Sequence, residues 1–234
     1  MCKKTIFFKY LIFNSLAFVL FFALSAAQAQ NKTKPENNTQ KSDRSKTILF
    51  LGNSLTAGYG LETTQAYPAL IQEKIDSLKL PFSVINAGLS GETSAGGLRR
   101  LNWLLRSPVD VFVLALGAND GLRGFPPTVT TENLQNIIKN VREKNPDCAV
   151  VSAGMEALPN MGESYVREFR EIFPKVAKAN NAALIPFLLA DVAGRPALNL
   201  ADGVHPNIAG QKIVAENVWE VLKPVLEKRA GGGN

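Results

Sequence analysis

The sequence predicts an α/β fold: a three-layer α/β/α sandwich around a five-stranded, mainly parallel sheet. Three observations predict it. From Thr47 onward, short apolar runs of strand length alternate with longer runs of helical period. The first of these, Ile48–Leu51, is apolar at four successive positions, as in a strand covered on both faces. The segments after the strands carry glycine and polar residues, on the edge where open α/β sheets place their ligands.

The elements follow in order. Thr47–Leu51 is the first strand, ended by Gly52. Tyr67, Leu70, Ile71, Ile75 and Leu78 share one helical face, with Pro68 in the first turn. Phe82–Asn86 is the second strand. Leu98, Leu101, Trp103, Leu104 and Leu105 mark a helix expected to pack on the sheet. Val109–Leu116 is the third strand. Leu134, Ile137, Ile138 and Val141 show helical spacing, with Thr130 or Thr131 as cap and Glu132 in the first turn. Cys148–Ala153 is the fourth strand. Tyr165, Phe169, Ile172, Phe173 and Val176 mark the next helix, in which Pro174 is a candidate kink. Ala183–Phe187 is the fifth strand. The last helix starts near Pro206 and turns Ile213, Val214, Val218, Val221 and Leu222 inward. Strands joined through helices imply right-handed crossovers, which bring the loops after the strands to one edge.

The ends of the chain read differently. Residues 1–29 are expected to be a signal peptide: Lys3, Lys4 and Lys9 precede an apolar stretch, and Ala27-Gln28-Ala29 is a cleavage signature. An uncleaved anchor is the alternative, since Tyr10 to Ala27 approaches spanning length. Either way the domain is exported, to the periplasm or beyond. Residues 30–46 are polar and expected to be a disordered linker. The folded domain is placed at 47–229, and 230–234 is a glycine tail. The first 46 residues account for the whole formal charge of +6, so residues 47–234 are formally neutral. The basic excess gives no support for nucleic-acid binding. With His205 as the only histidine, and Cys2 and Cys148 the only cysteines, a zinc site of the usual kind is not expected, and no cofactor is. Cys148 reads as a small buried strand residue.

Four loops hold the candidate chemistry: Gly52-Asn53-Ser54-Leu55-Thr56, Ser90-Gly91-Glu92-Thr93, Gly117-Ala118-Asn119-Asp120 and Asp202-Gly203-Val204-His205-Pro206. A serine hydroxyl is a weak nucleophile and needs an adjacent base. Only His205 can supply an imidazole to Ser54. The base needs a carboxylate to fix its tautomer, and Asp202 stands three residues upstream across a Gly203 turn. Pro206 is expected at the first helical position. Acyl transfer also needs donors for the developing oxyanion, and the candidates are the backbone N–H groups of Ser54 and Gly91 and the side-chain amide of Asn119. Each residue also has a plainer reading. Ser54 could be a helix cap, Asp202-Gly203 an ordinary turn, Gly91 a positive-φ position, and Asn119 a partner of its own loop.

The four blocks, in this order and spacing, resemble those of the SGNH (GDSL-type) hydrolases, and within them the thioesterase, lysophospholipase and arylesterase group. The resemblance spans about residues 47–226. It implies a flavodoxin-like sheet, Ser54 as nucleophile, His205 as base, Asp202 as its orienting acid, and an oxyanion hole from Ser54, Gly91 and Asn119. The implied reaction is hydrolysis of a small acyl ester or thioester through an acyl-enzyme, by a monomer that meets membranes only through its leader or a lipid substrate. One departure is visible: Asn53 stands where these proteins usually carry Asp.

Two rival readings use other features. A carbohydrate O-acetyl esterase would use the same residues but should show aromatic platforms, and Trp103 and Trp219 fall on helices. The loop from Gly154 to Gly162, with Met155 and Met161, suits an acyl chain better. A non-catalytic anion binder could use Gly52-Asn53-Ser54 at a helix start, but leaves Asp202 and His205 without a role.

Overall fold

The computed structural model describes residues 45–231. The leader, Cys2, the linker up to residue 44 and the last three residues lie outside them. Five strands alternate with helices: β1 (Lys46–Gly52), α1 (Ser54–Ala57), α2 (Tyr67–Ser77), β2 (Phe82–Gly88), α3 (Ser94–Leu104), β3 (Val111–Ala115), α4 (Ala118–Leu122), α5 (Pro127–Lys144), β4 (Ala149–Ala153), α6 (Glu163–Ala179), β5 (Ala183–Ile185) and α7 (Ile208–Gly231). β1 thus begins at Lys46, inside the expected linker, and α7 runs through Ala230 and Gly231, where a tail was expected.

All four strand pairings are parallel, in the order β2-β1-β3-β4-β5. In register, Phe50 of β1 faces Asn86 of β2 and Val113 of β3. The three-layer α/β/α sandwich is therefore as the sequence predicts: α2 and α7 pack together on one face, and α3, α5 and α6 on the other. Ile48, Leu49, Phe50 and Leu51 are all buried, because β1 is central and covered on both faces. β2, by contrast, is an edge strand with Ser83, Ile85 and Asn86 exposed. The chain order reverses between β1 and β3, which opens a crevice at their carboxyl ends.

Several local expectations are corrected. Trp103 is 62% exposed, because α3 turns Leu101 and Gly97 to the sheet and Trp103 outward. Leu78 follows the end of α2 and is also exposed. α5 starts at Pro127, so neither Thr130 nor Thr131 caps it; Thr130 is buried inside the helix and donates to Asp120. α6 continues past Pro174, which lies on its exposed side. Pro206 precedes α7 and pairs with Asn199 in an antiparallel bridge instead of opening the helix. Cys148 is buried but falls one residue before β4.

Candidate active site

α1 places Ser54. Its cap is the buried Asn53, whose Oδ1 accepts from Leu55 N at 3.0 Å, so Ser54 is the first helical residue and not the cap. The turn sits low between β1 and β2. Asn86 Nδ2 donates to Thr56 O at 2.9 Å, and a Cβ on Gly88 would lie 2.3 Å from Ala57 N. Only glycine permits that approach. Behind α1, Thr56 Oγ1 and Tyr67 OH are 2.9 Å apart, and Gln211 of α7 accepts from Tyr67 N at 2.9 Å. These are buried polar groups that satisfy one another.

The loop before α7 brings His205 to the same point. Leu200 N donates to His205 O at 2.7 Å, and Asn207 Nδ2 donates to Ala197 O at 2.9 Å. Asp202 closes a short turn: its Oδ1 accepts from Val204 N at 2.9 Å and from His205 N at 3.0 Å. Its Oδ2 lies 2.7 Å from His205 Nδ1, and His205 Nε2 lies 2.9 Å from Ser54 Oγ. With Nδ1–H donating to the carboxylate, Nε2 accepts from the serine hydroxyl. The backbone N–H bonds from His205 and Val204, together with the imidazole, hold the Asp202 carboxyl down at about 2. The side chain thus stays ionised through the neutral range.

The third wall comes from the ends of β2 and β3. Gly91 has φ +78, a left-handed conformation that leaves room beside it: a Cβ there would meet nothing within 4 Å. Arg123 donates to Gly91 O at 3.1 Å. Asn119, the second residue of α4, donates one amide N–H to Glu92 O at 3.0 Å. Asn119 lines the cavity, and its observed partner lies in the loop after β2, not in its own loop as the plainer reading has it. The loop between is fastened by buried charge. Glu92 is paired with Arg100, whose Nε lies 2.8 Å from both carboxylate oxygens and whose Nη2 donates to Ala87 O at 2.6 Å. Asp120, fully buried, accepts from Ser94 N at 2.8 Å and from the Ser94 and Thr130 hydroxyls. A buried carboxylate is tolerable because it is so bonded.

Ser54, Gly91, Asn119 and His205 all line one cavity of about 600 Å³, whose other walls include Leu122, Met155, Ala157, Leu158, Phe187 and Leu189. Asp202 stands behind His205 and is exposed. Met161 does not line the cavity; it packs near Gly124. Among the described residues, no group of three or more His, Cys, Asp or Glu side chains could hold a metal ion. Tyr59 was not singled out in the sequence, yet it lines the cavity with its ring centroid 4.5 Å from that of His205. An aromatic between Gly58 and Gly60 was the only signal. The Glu92–Arg100 pair left none.

A hydrogen-bonded Ser–His–Asp series at the switch point of a doubly wound sheet is an arrangement that serine hydrolases use. Residues 50–213 match the GDSL-like Lipase/Acylhydrolase family, and the chain belongs to it. It is 39% identical to the thioesterase 1/protease 1/lysophospholipase L1 of Escherichia coli, over 77% of this chain and 85% of that protein. It is 37% identical to an arylesterase of Vibrio mimicus, over 88% of this chain and 96% of that one. Among solved structures, the psychrotrophic esterase EstA from Pseudoalteromonas sp., inhibited by monoethylphosphonate, superposes with a TM-score of 0.73 at 35% identity, covering 78% of this chain and 99% of that one.

Proposed function

We propose that the chain is an exported esterase that hydrolyses carboxylic ester or thioester bonds through an acyl-enzyme, with Ser54, His205 and Asp202 as its catalytic triad. The observation that carries this reading is the unbroken hydrogen-bond series from Asp202 through His205 to Ser54, opening on an apolar cavity. Ser54 Oγ attacks the carbonyl carbon while His205 Nε2 takes its proton. The carbonyl electron pair moves to oxygen, which is met by the N–H groups of Ser54 and Gly91 and by the Asn119 amide. His205 then protonates the leaving alcohol or thiol, and activates the water that releases the acid. Asp202 fixes the tautomer and stabilises the imidazolium. Residues 1–29 serve as the export leader, and 30–45 join it to the domain.

The acyl group lies against Met155, Ala157, Leu158 and Phe187, a wall of apolar and adaptable side chains. Neither Trp103 nor Trp219 lines the cavity; its aromatic residues are Tyr59, set against His205, and Phe187. A fluorophosphonate probe is expected to label Ser54 in the folded wild-type protein and to leave Ser54→Ala unlabelled. Folded wild-type protein that resists the probe would overturn the reading. Rates across p-nitrophenyl esters from acetyl to palmitoyl then rank acyl length. A profile confined to acetyl would transfer the assignment to an O-acetyl esterase.

A further inference from the structure

Tyr59 is a large aromatic residue, 52% exposed, at a place where exposure has a cost. The backbone holds it there by design of the turn. α1 ends in left-handed Gly58 (φ 75, ψ 47), and Gly60 is left-handed as well (φ 77). A Cβ on Gly58 would lie 2.6 Å from Ala66 Cβ, and one on Gly60 2.7 Å from Leu200 Cδ1. Both N–H groups of Gly58 and Tyr59 donate to Ser54 O, at 3.1 and 3.0 Å. The turn that carries Tyr59 is thus tied to Ser54 on one side and to the His205 loop, through Leu200, on the other.

The ring it presents meets an otherwise unassigned part of the imidazole. The two nitrogens of His205 are taken by Asp202 and Ser54. The face is covered by Tyr59, with centroids 4.5 Å apart and planes inclined by 39°. The other charged groups around the imidazole are Asp202, bonded to it, and Glu156 on the same cavity wall, paired with Arg170 at 3.1 Å. A tyrosine face carries negative quadrupole density and attracts a cation within about 6 Å.

We propose that Tyr59 is a positioning residue for His205: its ring fixes the imidazole plane and stabilises the imidazolium formed when the Ser54 proton moves to Nε2. The proposal rests on the triad reading above. In the step concerned, the Ser54 O–H bond breaks, the Oγ–carbon bond forms, and the carbonyl pair goes to the oxyanion. Positive charge therefore appears under the Tyr59 face at the moment of attack.

The chain has one histidine, so protein without a histidine tag gives a single set of imidazole NMR signals. Tyr59→Leu keeps apolar cover and removes the quadrupole; Tyr59→Phe keeps both. Tyr59→Leu is expected to lower the midpoint of the imidazole titration by about half a pH unit, and to lower kcat on p-nitrophenyl acetate roughly three- to tenfold with KM unchanged. Tyr59→Phe is expected to match wild type in both. Tyr59→Trp, with a stronger π face, should hold or raise the midpoint. A midpoint unmoved in Tyr59→Leu, or an effect confined to KM and growing with acyl length, would overturn the proposal and make Tyr59 a wall of the substrate cavity. The titration is made on free enzyme and reads Tyr59 directly. Failure of the triad reading would appear elsewhere, as hydrolysis surviving in Ser54→Ala.

Discussion

The two ends of the same strands differ in what some of their polar side chains reach: both edges tie side chains to backbone, but the carboxyl edge also holds a set bonded to one another. At the amino ends, several side chains are committed to a backbone group of a neighbouring segment. Asp110 Oδ2 accepts from Thr47 N at 2.8 Å, Asn145 Oδ1 accepts from Val109 N at 2.9 Å, and Arg229 Nη2 donates to Asp110 O at 3.2 Å. Lys46 and Arg142 donate likewise to Arg229 O and Asn180 O. At the carboxyl ends, Ser54, His205 and Asp202 are bonded to one another and open on the cavity. The first arrangement fastens strand starts to helix ends; the second leaves hydroxyl and imidazole facing a cavity. Substitutions should separate stability at the amino edge from the chemistry proposed for the carboxyl edge.

The largest separation is expected from Ser54→Ala. Turnover should fall by on the order of 10⁶, as when a serine nucleophile is removed from a triad that acts as a unit. Urea unfolding should be nearly unchanged, since Asn53, not Ser54, caps α1. Kinetics and a denaturation curve on the same preparation check both halves. Appreciable loss of stability would mean that Ser54 also fastens the fold, and would blur the contrast at its centre.

Asn119→Ala comes next. Loss of one oxyanion donor should lower kcat by about 10²–10³, with little change in KM. Here the contrast is less pure, because Asn119 also donates to Glu92 O at 3.0 Å. A stability loss of about 1 kcal/mol should accompany the kinetic one. Asp110→Ala is the mirror experiment at the amino edge. Without its carboxylate, Thr47 N loses a partner, and a loss of about 1–3 kcal/mol is expected in urea titration, with kcat and KM of the folded enzyme unchanged. A fall in kcat would show that the edges are coupled through β1 and β3.

Much of this architecture was legible in the sequence, for reasons that also set the boundary of what was not. The five strands and the long helices announce themselves by apolar runs and by period, as Leu134, Ile137, Ile138 and Val141 do in α5. α4 has five residues, too few to carry a period, and was missed. Thr130 or Thr131 suits a cap by sequence because hydroxyls cap helices, but Thr130 meets the buried Asp120 carboxylate of another element and Thr131 donates to Pro127 O within α5. That Ser54, Asp202 and His205 would meet was legible because a single histidine leaves Ser54 no other imidazole partner. Tyr59, Arg100 and Asp120 were not, since each acts on a residue that only the folded chain brings close. Asn53 was visible as a departure, yet its burial and its bond to Leu55 N were not.

The smallest expected effect sharpens the comparison through pH. At the amino edge, burial pushes the Cys148 thiol up from 9.0 to about 12, against the pull of Arg229. The folded chain therefore keeps this proton over a range where the unfolded chain releases it. The stability concerned is fully present below about pH 9 and is lost as pH rises toward 12. Near pH 10 the loss should be about 1 kcal/mol. Burial also raises the Tyr67 and Tyr165 phenols, but a free phenol ionises about one pH unit above a free thiol, so between 9 and 10 Cys148 contributes more than either. Urea titrations at the two ends of that interval are expected to differ in wild type and to differ less in Cys148→Ala. Asp202, at the other edge, is shifted the opposite way and adds nothing in this interval. An alkaline loss that persists in Cys148→Ala would assign it to other groups, and would remove the amino edge from the pH response.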